Sequence, residues 1–410
     1  MKKIAFLLTF TVATLVAYAG SVSVLLNEDN KIVPAAERLN EYLPLLKGKS
    51  VAIFANHTST IGNRHLVDVL RDNKVNIRKI FAPEHGFRGK ADAGEKIGNS
   101  IDEETGIEVI SLYGKKRQPS KEDLNDVDVM IFDIQDVGVR FYTYISSLEE
   151  YMVSALANNK TLIILDRPNP NGFYIDGPVL DRKFTSFVGM QPVPVVYGMT
   201  IGEYALMILG EKWIDKSVHN RLKSNPADMK IHIIPCAGYT HESRYDLPVK
   251  PSPNLPDLQS IYLYPSTCFF EGTVLSEGRG TSKPFQLFGH PSLPDTLISF
   301  TPKSMDGAKN PKLKDKLCYG WDLSGTVAEV EQKVQNRLQI KWLLEAYRLF
   351  PDKDSFFLKN NFFNLLAGND VLKNQLISGV PEADIRKSWE PGLAQFKTIR
   401  SKYLLYKDFQ

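Results

Sequence analysis

Short apolar runs bounded by polar residues recur through the first half of the chain, each the length of a buried strand. Val51-Ala-Ile-Phe-Ala55 is the first, and residues 75–81, 108–112, 127–132 and 161–165 repeat the form. Between these runs the apolar positions take helical spacing. Residues 65–71 read as a helix, as do residues 146–158, where Leu148, Met152 and Leu156 share one face. Strands alternating with helices predict a mostly parallel sheet covered on both faces, an α/β class with a Rossmann-like layout. The C-terminal portion is patterned differently. Residues 339–350 and 391–402 place Trp342, Leu343, Ala346 and Leu349, and then Leu393, Phe396 and Ile399, at helical spacing that reads as core faces. The Asp-, Lys- and Asn-containing segment 301–316 reads as a surface loop.

At the N-terminus the pattern has another meaning. Lys2 and Lys3 precede an apolar run from Ile4 to Val16, and Ala17-Tyr18-Ala19 supplies a small-x-small cleavage pattern. This is the three-part form of a removable signal peptide, residues 1–19. The run is short of the roughly 20 apolar residues that span a bilayer. The expectation is an exported protein, periplasmic or secreted, with no membrane anchor after signal removal. The remaining length of roughly 390 residues suits two domains. We expect a Rossmann-like domain over 20–253 and a second region over 254–410 that walls the cleft.

Composition narrows the functional classes. Hydrophobic residues make up 43% of the chain and charged residues 24%, which describes a folded globular protein. A formal charge of +3 with no long Lys/Arg block argues against nucleic acid as a partner. Cys236, Cys268 and Cys318 allow at most one bridge and show no C-x-x-C spacing, so neither a disulfide scaffold nor a cysteine-based zinc site is expected. After the first strand comes Asn56-His57-Thr58-Ser59-Thr60-Ile61-Gly62 rather than G-x-G-x-x-G, and no P-loop pattern occurs. No nucleotide cofactor is expected.

Open α/β sheets bind ligands beyond the carboxyl ends of their strands. Here those ends carry Asn56-His57, Pro83-Glu84-His85-Gly86 with Arg88 following, Tyr113-Gly114, Asp133-Ile134-Gln135-Asp136 running on to Arg140 and Tyr142, and Asp166-Arg167-Pro168-Asn169. Pro83 ends its strand and Gly86 and Gly89 permit a tight return, which would hold Glu84 and His85 at the sheet edge. A partly desolvated carboxyl group there could donate a proton near neutral pH. Asp133, Asp136 and Arg140 could hold a sugar hydroxyl or steady developing charge. With His57 or His85 the two aspartates could instead bind a metal, although no metal-ligand spacing supports that. A second polar belt follows a Pro-rich stretch: Asn254-Leu-Pro-Asp257 leads into Ile261-Tyr-Leu-Tyr-Pro265, then Glu271-Gly272-Thr273 and Ser276-Glu277-Gly278-Arg279-Gly280-Thr281. Glycines on both sides of Arg279 let backbone amides and a guanidinium approach an anion together.

Several longer blocks carry a family resemblance. They are Phe81-Ala-Pro-Glu-His-Gly-Phe-Arg-Gly89, Asp92-Ala-Gly-Glu95, Ser111-Leu-Tyr-Gly114, Asp133-Ile-Gln-Asp-Val-Gly-Val-Arg-Phe-Tyr-Thr-Tyr144 and Asp166-Arg-Pro-Asn-Pro-Asn-Gly172. Pro251-Ser-Pro-Asn-Leu-Pro256, Phe270-Glu-Gly-Thr273, Glu277-Gly-Arg-Gly-Thr281 and Trp389-Glu-Pro-Gly-Leu-Ala-Gln-Phe396 follow in order. Across nearly all of the chain after residue 19 the sequence resembles the exo-β-N-acetylmuramidases of the NamZ type, glycoside hydrolases of peptidoglycan fragments. The resemblance implies a Rossmann-like domain joined to a smaller α+β domain, and release of β-linked N-acetylmuramic acid from a non-reducing end. It implies Glu84 as the leading catalytic candidate. Glycoside hydrolysis then asks for a second group, Asp133 or Asp136, with Glu271 and Glu277 in reserve, or the substrate's own acetamido group. Arg279 and Arg140 are candidates for the lactyl carboxylate, and Tyr113 and Tyr142 for stacking on the sugar. Two other classes stay open: a metal-dependent hydrolase built on His57, His85, Asp133 and Asp136, and a muropeptide-binding protein without turnover.

Overall fold

Seven strands form the main sheet of the computed structural model, which describes residues 31–83, 86–88, 98–225, 227 and 229–409. The strands are β1 (Ser50–Ala55), β4 (Asn76–Ala82), β5 (Ser100–Ile101), β6 (Glu108–Ser111), β7 (Val129–Asp133), β8 (Thr161–Leu165) and β9 (Ile231–Ile234). A two-stranded ribbon, β2 (Thr60–Ile61) and β3 (Arg64–His65), lies between β1 and β4 in the chain. The sheet order is β5-β6-β4-β1-β7-β8-β9, parallel throughout except for the antiparallel edge strand β5. Strands β5 and β9 are additions to the five strands expected from the apolar runs.

The alternation of side chains along these strands builds two cores. Ala52, Phe54, Met130, Phe132, Leu162 and Ile164 face one layer, where α3 (Tyr144–Ala157), α4 (Ile201–Gly210) and α5 (Lys216–Ser224) cover them. Val51, Ile53, Ile131 and Ile163 face the other, under α1 (Leu39–Leu46) and α2 (Leu66–Asp72). A strand buried on both faces must be apolar at both parities, which is why these segments read as unbroken apolar runs. Within the first core Phe54 stacks on Phe132 at 5.1 Å, and Tyr151 of α3 packs against both.

The order of the strands fixes where a ligand fits. From β1 the chain moves outward through β4 and β6, then returns to β7 on the opposite side of β1. The crevice between the carboxyl ends of β1 and β7 is therefore the topological switch point.

The C-terminal region has its own core around Phe269, Phe270, Phe288, Leu343 and Phe356. It comprises α6 (Leu258–Thr267), a 3₁₀ turn at Cys268–Gly272, and an antiparallel sheet in the order β10-β12-β11. Those strands are β10 (Leu287–His290), β11 (Ile298–Phe300) and β12 (Cys318–Asp322), and helices α7 (Val327–Val334), α8 (Ile340–Leu349), α9 (Phe362–Ala367), α10 (Val371–Ile377) and α11 (Glu382–Arg400) complete the region. The last helix corrects the expectation of one starting at Pro391. It begins nine residues earlier and carries Pro391 internally, with Ile385 and Trp389 buried before the proline. After α11 the chain returns to the main sheet. Arg400 donates to the Gly198 carbonyl through Nε at 2.8 Å and Nη2 at 2.6 Å, and the Tyr406 hydroxyl reaches Asp166 Oδ2 at 2.5 Å. All three cysteines are free and buried.

Candidate active site

A cavity of about 210 Å³ opens at the switch point, between residues that follow β7 and residues of the second polar belt. Tyr142, Tyr144, Tyr264 and Phe285 supply its aromatic lining, and Asn254, Glu271 and Arg279 its polar groups. Tyr142 meets Tyr144 edge-on at 4.9 Å and Tyr264 at 6.0 Å, and Tyr264 meets Phe285 at 4.8 Å. Edge-to-face packing fixes each ring against the next.

The elements of the two regions are tied across this crevice by the Pro-rich stretch. His57, just past β1, donates from Nε2 to the Lys250 carbonyl at 2.8 Å, and the Tyr142 hydroxyl donates to the Pro251 carbonyl at 2.7 Å. Asn56 is buried and fully engaged. Its amide donates to the Tyr144 hydroxyl at 2.9 Å while its Oδ1 accepts from the Thr58 amide at 2.9 Å and hydroxyl at 2.6 Å. Asn56 thus positions the Tyr144 ring from the end of β1. Asn254 holds its own loop by donating to the Gly307 carbonyl at 2.9 Å.

Charge in the cavity wall is organised around Arg279. Its Nη1 lies 2.8 Å from Glu271 Oε1 and 3.3 Å from Glu277 Oε1, and its guanidinium sits 4.9 Å from the Phe285 ring centroid. Lys312 adds a second cation, 2.8 Å from Glu277 Oε2. Burial pushes the Glu271 carboxyl above its ordinary range, and Arg279 offsets only part of that. Burial also acts upward on Glu277, but Lys312 and Arg279 together outweigh it and hold that carboxyl below the usual range. The glycines around Arg279 are needed. Gly278 and Gly280 have φ of +82° and +79°, and a Cβ on Gly280 would come within 2.5 Å of the Lys303 carbonyl.

Several residues expected at the site lie elsewhere. Asp133 is fully buried in a bidentate pair with Arg167, Oδ1 to Nε at 2.6 Å and Oδ2 to Nη2 at 2.8 Å. Asp136 accepts from the Gly138 amide at 2.7 Å and from the Tyr197 hydroxyl, and burial pushes its carboxyl up to about 6. Arg140 is a strut rather than a cavity cation. Its guanidinium donates to the carbonyls of Pro178, Val193 and Leu366 at 2.9, 2.7 and 2.8 Å, with no surface exposed. Asp166 gathers the Gly202 amide, the Thr200 hydroxyl and Tyr406, and Asn169 bonds the Met199 carbonyl and the Asn171 amide. Arg88 forks onto Asp102 at 3.0 and 2.9 Å, with Glu104 and Asp68 nearby. Tyr113 is half-buried beyond β6.

Glu84 and His85 lie outside the described residues. Their described neighbours, Pro83 and Gly86, are buried at the carboxyl end of β4, and the Gly86 amide donates to the Pro83 carbonyl at 3.1 Å. Among the described residues no group of three or more His, Cys, Asp or Glu side chains is arranged to hold a metal ion. Among the described residues Asp133 and Asp136 share no hydrogen-bond partner: Arg167 holds the first, and Tyr197 with the Gly138 amide the second. Sequence reasoning missed Tyr144 and Lys312, and gave Tyr264 no role within the second belt. The Tyr142-x-Tyr144 spacing was a usable signal for the first, and Lys312 was hidden by the polar composition of its loop.

Comparison with known proteins bears on both regions. Residues 51–259 match the family model described as "Exo-beta-N-acetylmuramidase NamZ, N-terminal", and residues 262–406 match "Exo-beta-N-acetylmuramidase NamZ, C-terminal". A Bacillus subtilis (strain 168) protein named peptidoglycan beta-N-acetylmuramidase NamZ is 38% identical over 386 residues, covering 90% of this chain and 89% of that one. Crystal structures of two DUF1343 family proteins from Bacteroides fragilis NCTC 9343 superimpose with TM-scores of 0.82 and 0.73, at 43% and 28% identity. Each comparison covers 92% of this chain and 99% of the other. The chain belongs to the NamZ exo-β-N-acetylmuramidase family.

Proposed function

We propose that this protein is an exo-acting glycoside hydrolase that releases β-linked N-acetylmuramic acid from the non-reducing end of peptidoglycan fragments. The observation that carries the reading is the unbroken family match through both regions whose junction forms the cavity. The cavity agrees with it in kind: one aromatic wall for the apolar face of a sugar, and one guanidinium for an acid substituent.

In this reading Glu84 protonates the leaving oxygen. It follows Pro83 directly beyond β4, the strand beside β1 and the switch point. Of the carboxylates expected as the second group, Glu271 is the one that lines the cavity, whereas Asp133 and Asp136 are held by Arg167 and Tyr197. Glu271 or the substrate's acetamido group then manages the oxocarbenium-like charge. Arg279 receives the lactyl carboxylate, and Tyr142 faces the sugar ring. Residues 1–19 act as an export signal, so the work is done in the periplasm or outside the cell. The test is release of chromophore from a chromogenic β-N-acetylmuramide by the purified protein, with the matching β-N-acetylglucosaminide left intact. Equal hydrolysis of both, or of neither, contradicts the proposal.

A further inference from the structure

Segment 301–316 has the composition of a plain surface loop, yet its Lys312 reaches behind the cavity wall. Lys312 Nζ donates to the carbonyls of Phe270 at 2.8 Å and Thr273 at 3.2 Å, which bracket Glu271 in the chain. The same ammonium lies 2.8 Å from Glu277 Oε2. The segment is also joined to the Arg279 loop through its backbone, where the Lys303 amide donates to the Gly280 carbonyl at 2.7 Å. Gly280 packs so closely there that a Cβ would come within 2.5 Å of Pro311 Cγ. One side chain therefore ties the turn that carries Glu271 to the loop that carries Glu277 and Arg279.

The charges explain why a cation is needed at that point. Glu271 and Glu277 both contact the single guanidinium of Arg279. Two carboxylates on one cation leave net negative charge in a poorly solvated place, and one of them would then take up a proton. Lys312 restores the balance. The groups facing this pair from the packed elements are Arg279 and Lys312, with the Tyr264 hydroxyl and the Cys268 thiol behind. Burial pushes both of the latter well up, so they stay neutral.

We propose that Lys312 is a positioning residue of the muramidase site: by pairing with Glu277 and bonding the carbonyls on either side of Glu271, it braces the two carboxylates that hold the Arg279 guanidinium at the cavity wall, where a ligand carboxylate meets it. The inference rests on the function proposed above and assigns to a residue outside the cavity lining a part in recognising the acidic sugar. It requires no direct contact between Lys312 and substrate.

The experiment compares wild type, Lys312→Met and Lys312→Arg on the chromogenic muramide from about pH 4 to pH 9, with urea unfolding alongside. Lys312→Met should raise KM by about tenfold, with a smaller change in kcat. It should also move the acidic limb of kcat/KM upward by about one pH unit, because a carboxylate that loses its cation protonates sooner. Lys312→Arg should restore both. Lowered stability with unchanged KM and an unmoved acidic limb would show a merely structural role and overturn the inference, as would an arginine variant that behaves like methionine. Should Lys312→Met not fold, Glu277→Gln removes the carboxylate charge that Lys312 pairs with, in an isosteric side chain. It should raise KM similarly, and an unchanged KM would overturn the inference. A wild type inactive on the muramide would remove the proposed function itself, and the inference with it.

Discussion

Asp136 is buried beside Tyr197 and the Gly138 amide, and its second oxygen, Oδ1, has no hydrogen-bond partner among the described residues. Desolvation therefore dominates, and the folded-state pKa rises to about 6 from an ordinary value near 4. Below about pH 4 the group is protonated in both folded and unfolded chains, and its burial carries no ionisation cost. As pH rises from about 4 to 6 the unfolded chain releases the proton first, so the folded state loses stability, on the order of 2–3 kcal/mol for this group when the change is complete. Asp136→Asn cannot ionise. The stability difference between variant and wild type should shift in the variant's favour between about pH 4.5 and pH 7, measured by urea unfolding at each pH. Parallel pH dependences would show that Asp136 is not the strained group. At this scale the sequence located residues better than their duties. Asp133, Asp136 and Arg140 were legible as a polar cluster beyond a strand. Nothing in the sequence showed that Asp133 is held by Arg167, Asp136 by Tyr197, and Arg140 by three backbone carbonyls.

Among the elements, the strands were the most legible, because β1, β7 and β8 are buried on both faces and apolar at nearly every position, and β4 is so over its last three residues. Four expected strands match β1, β4, β6 and β8 within a residue or so, and β7 begins two residues after the expected start. The weaker spot was β9, whose Ile-His-Ile-Ile has an exposed polar position and no long apolar run. Helix α11 was half seen, since a proline ordinarily marks a boundary and here lies within the helix. The tail after α11 was not seen at all. It packs on the main sheet through Tyr406, whose hydroxyl donates to Asp166 and accepts from the Cys236 amide at 2.9 Å. Tyr406→Phe leaves both groups short of a partner in a buried place. It should lower the unfolding free energy by about 1–3 kcal/mol, read by urea denaturation. Unchanged stability would mean the tail contributes nothing to the fold through this contact.

For the whole molecule, the switch point explains why one cavity draws on both regions. The parallel sheet presents the ends of β1 and β7 as a crevice, the Pro-rich stretch crosses it through Lys250 and Pro251, and the C-terminal region closes it with Glu271 and Arg279. The α/β class and the second polar belt could be read from pattern and glycine placement. The convergence of the belt with Tyr142 could not, because it depends on contacts separated by more than a hundred residues. The direct test of the central claim is product analysis on the disaccharide N-acetylmuramyl-β-1,4-N-acetylglucosamine, with wild type and Glu84→Gln side by side. Wild type should yield free N-acetylmuramic acid and N-acetylglucosamine in equal amounts. Glu84→Gln should stay folded and lose at least about a hundredfold in rate, the loss expected of a missing general acid. An intact disaccharide after prolonged incubation with folded wild type would contradict the account.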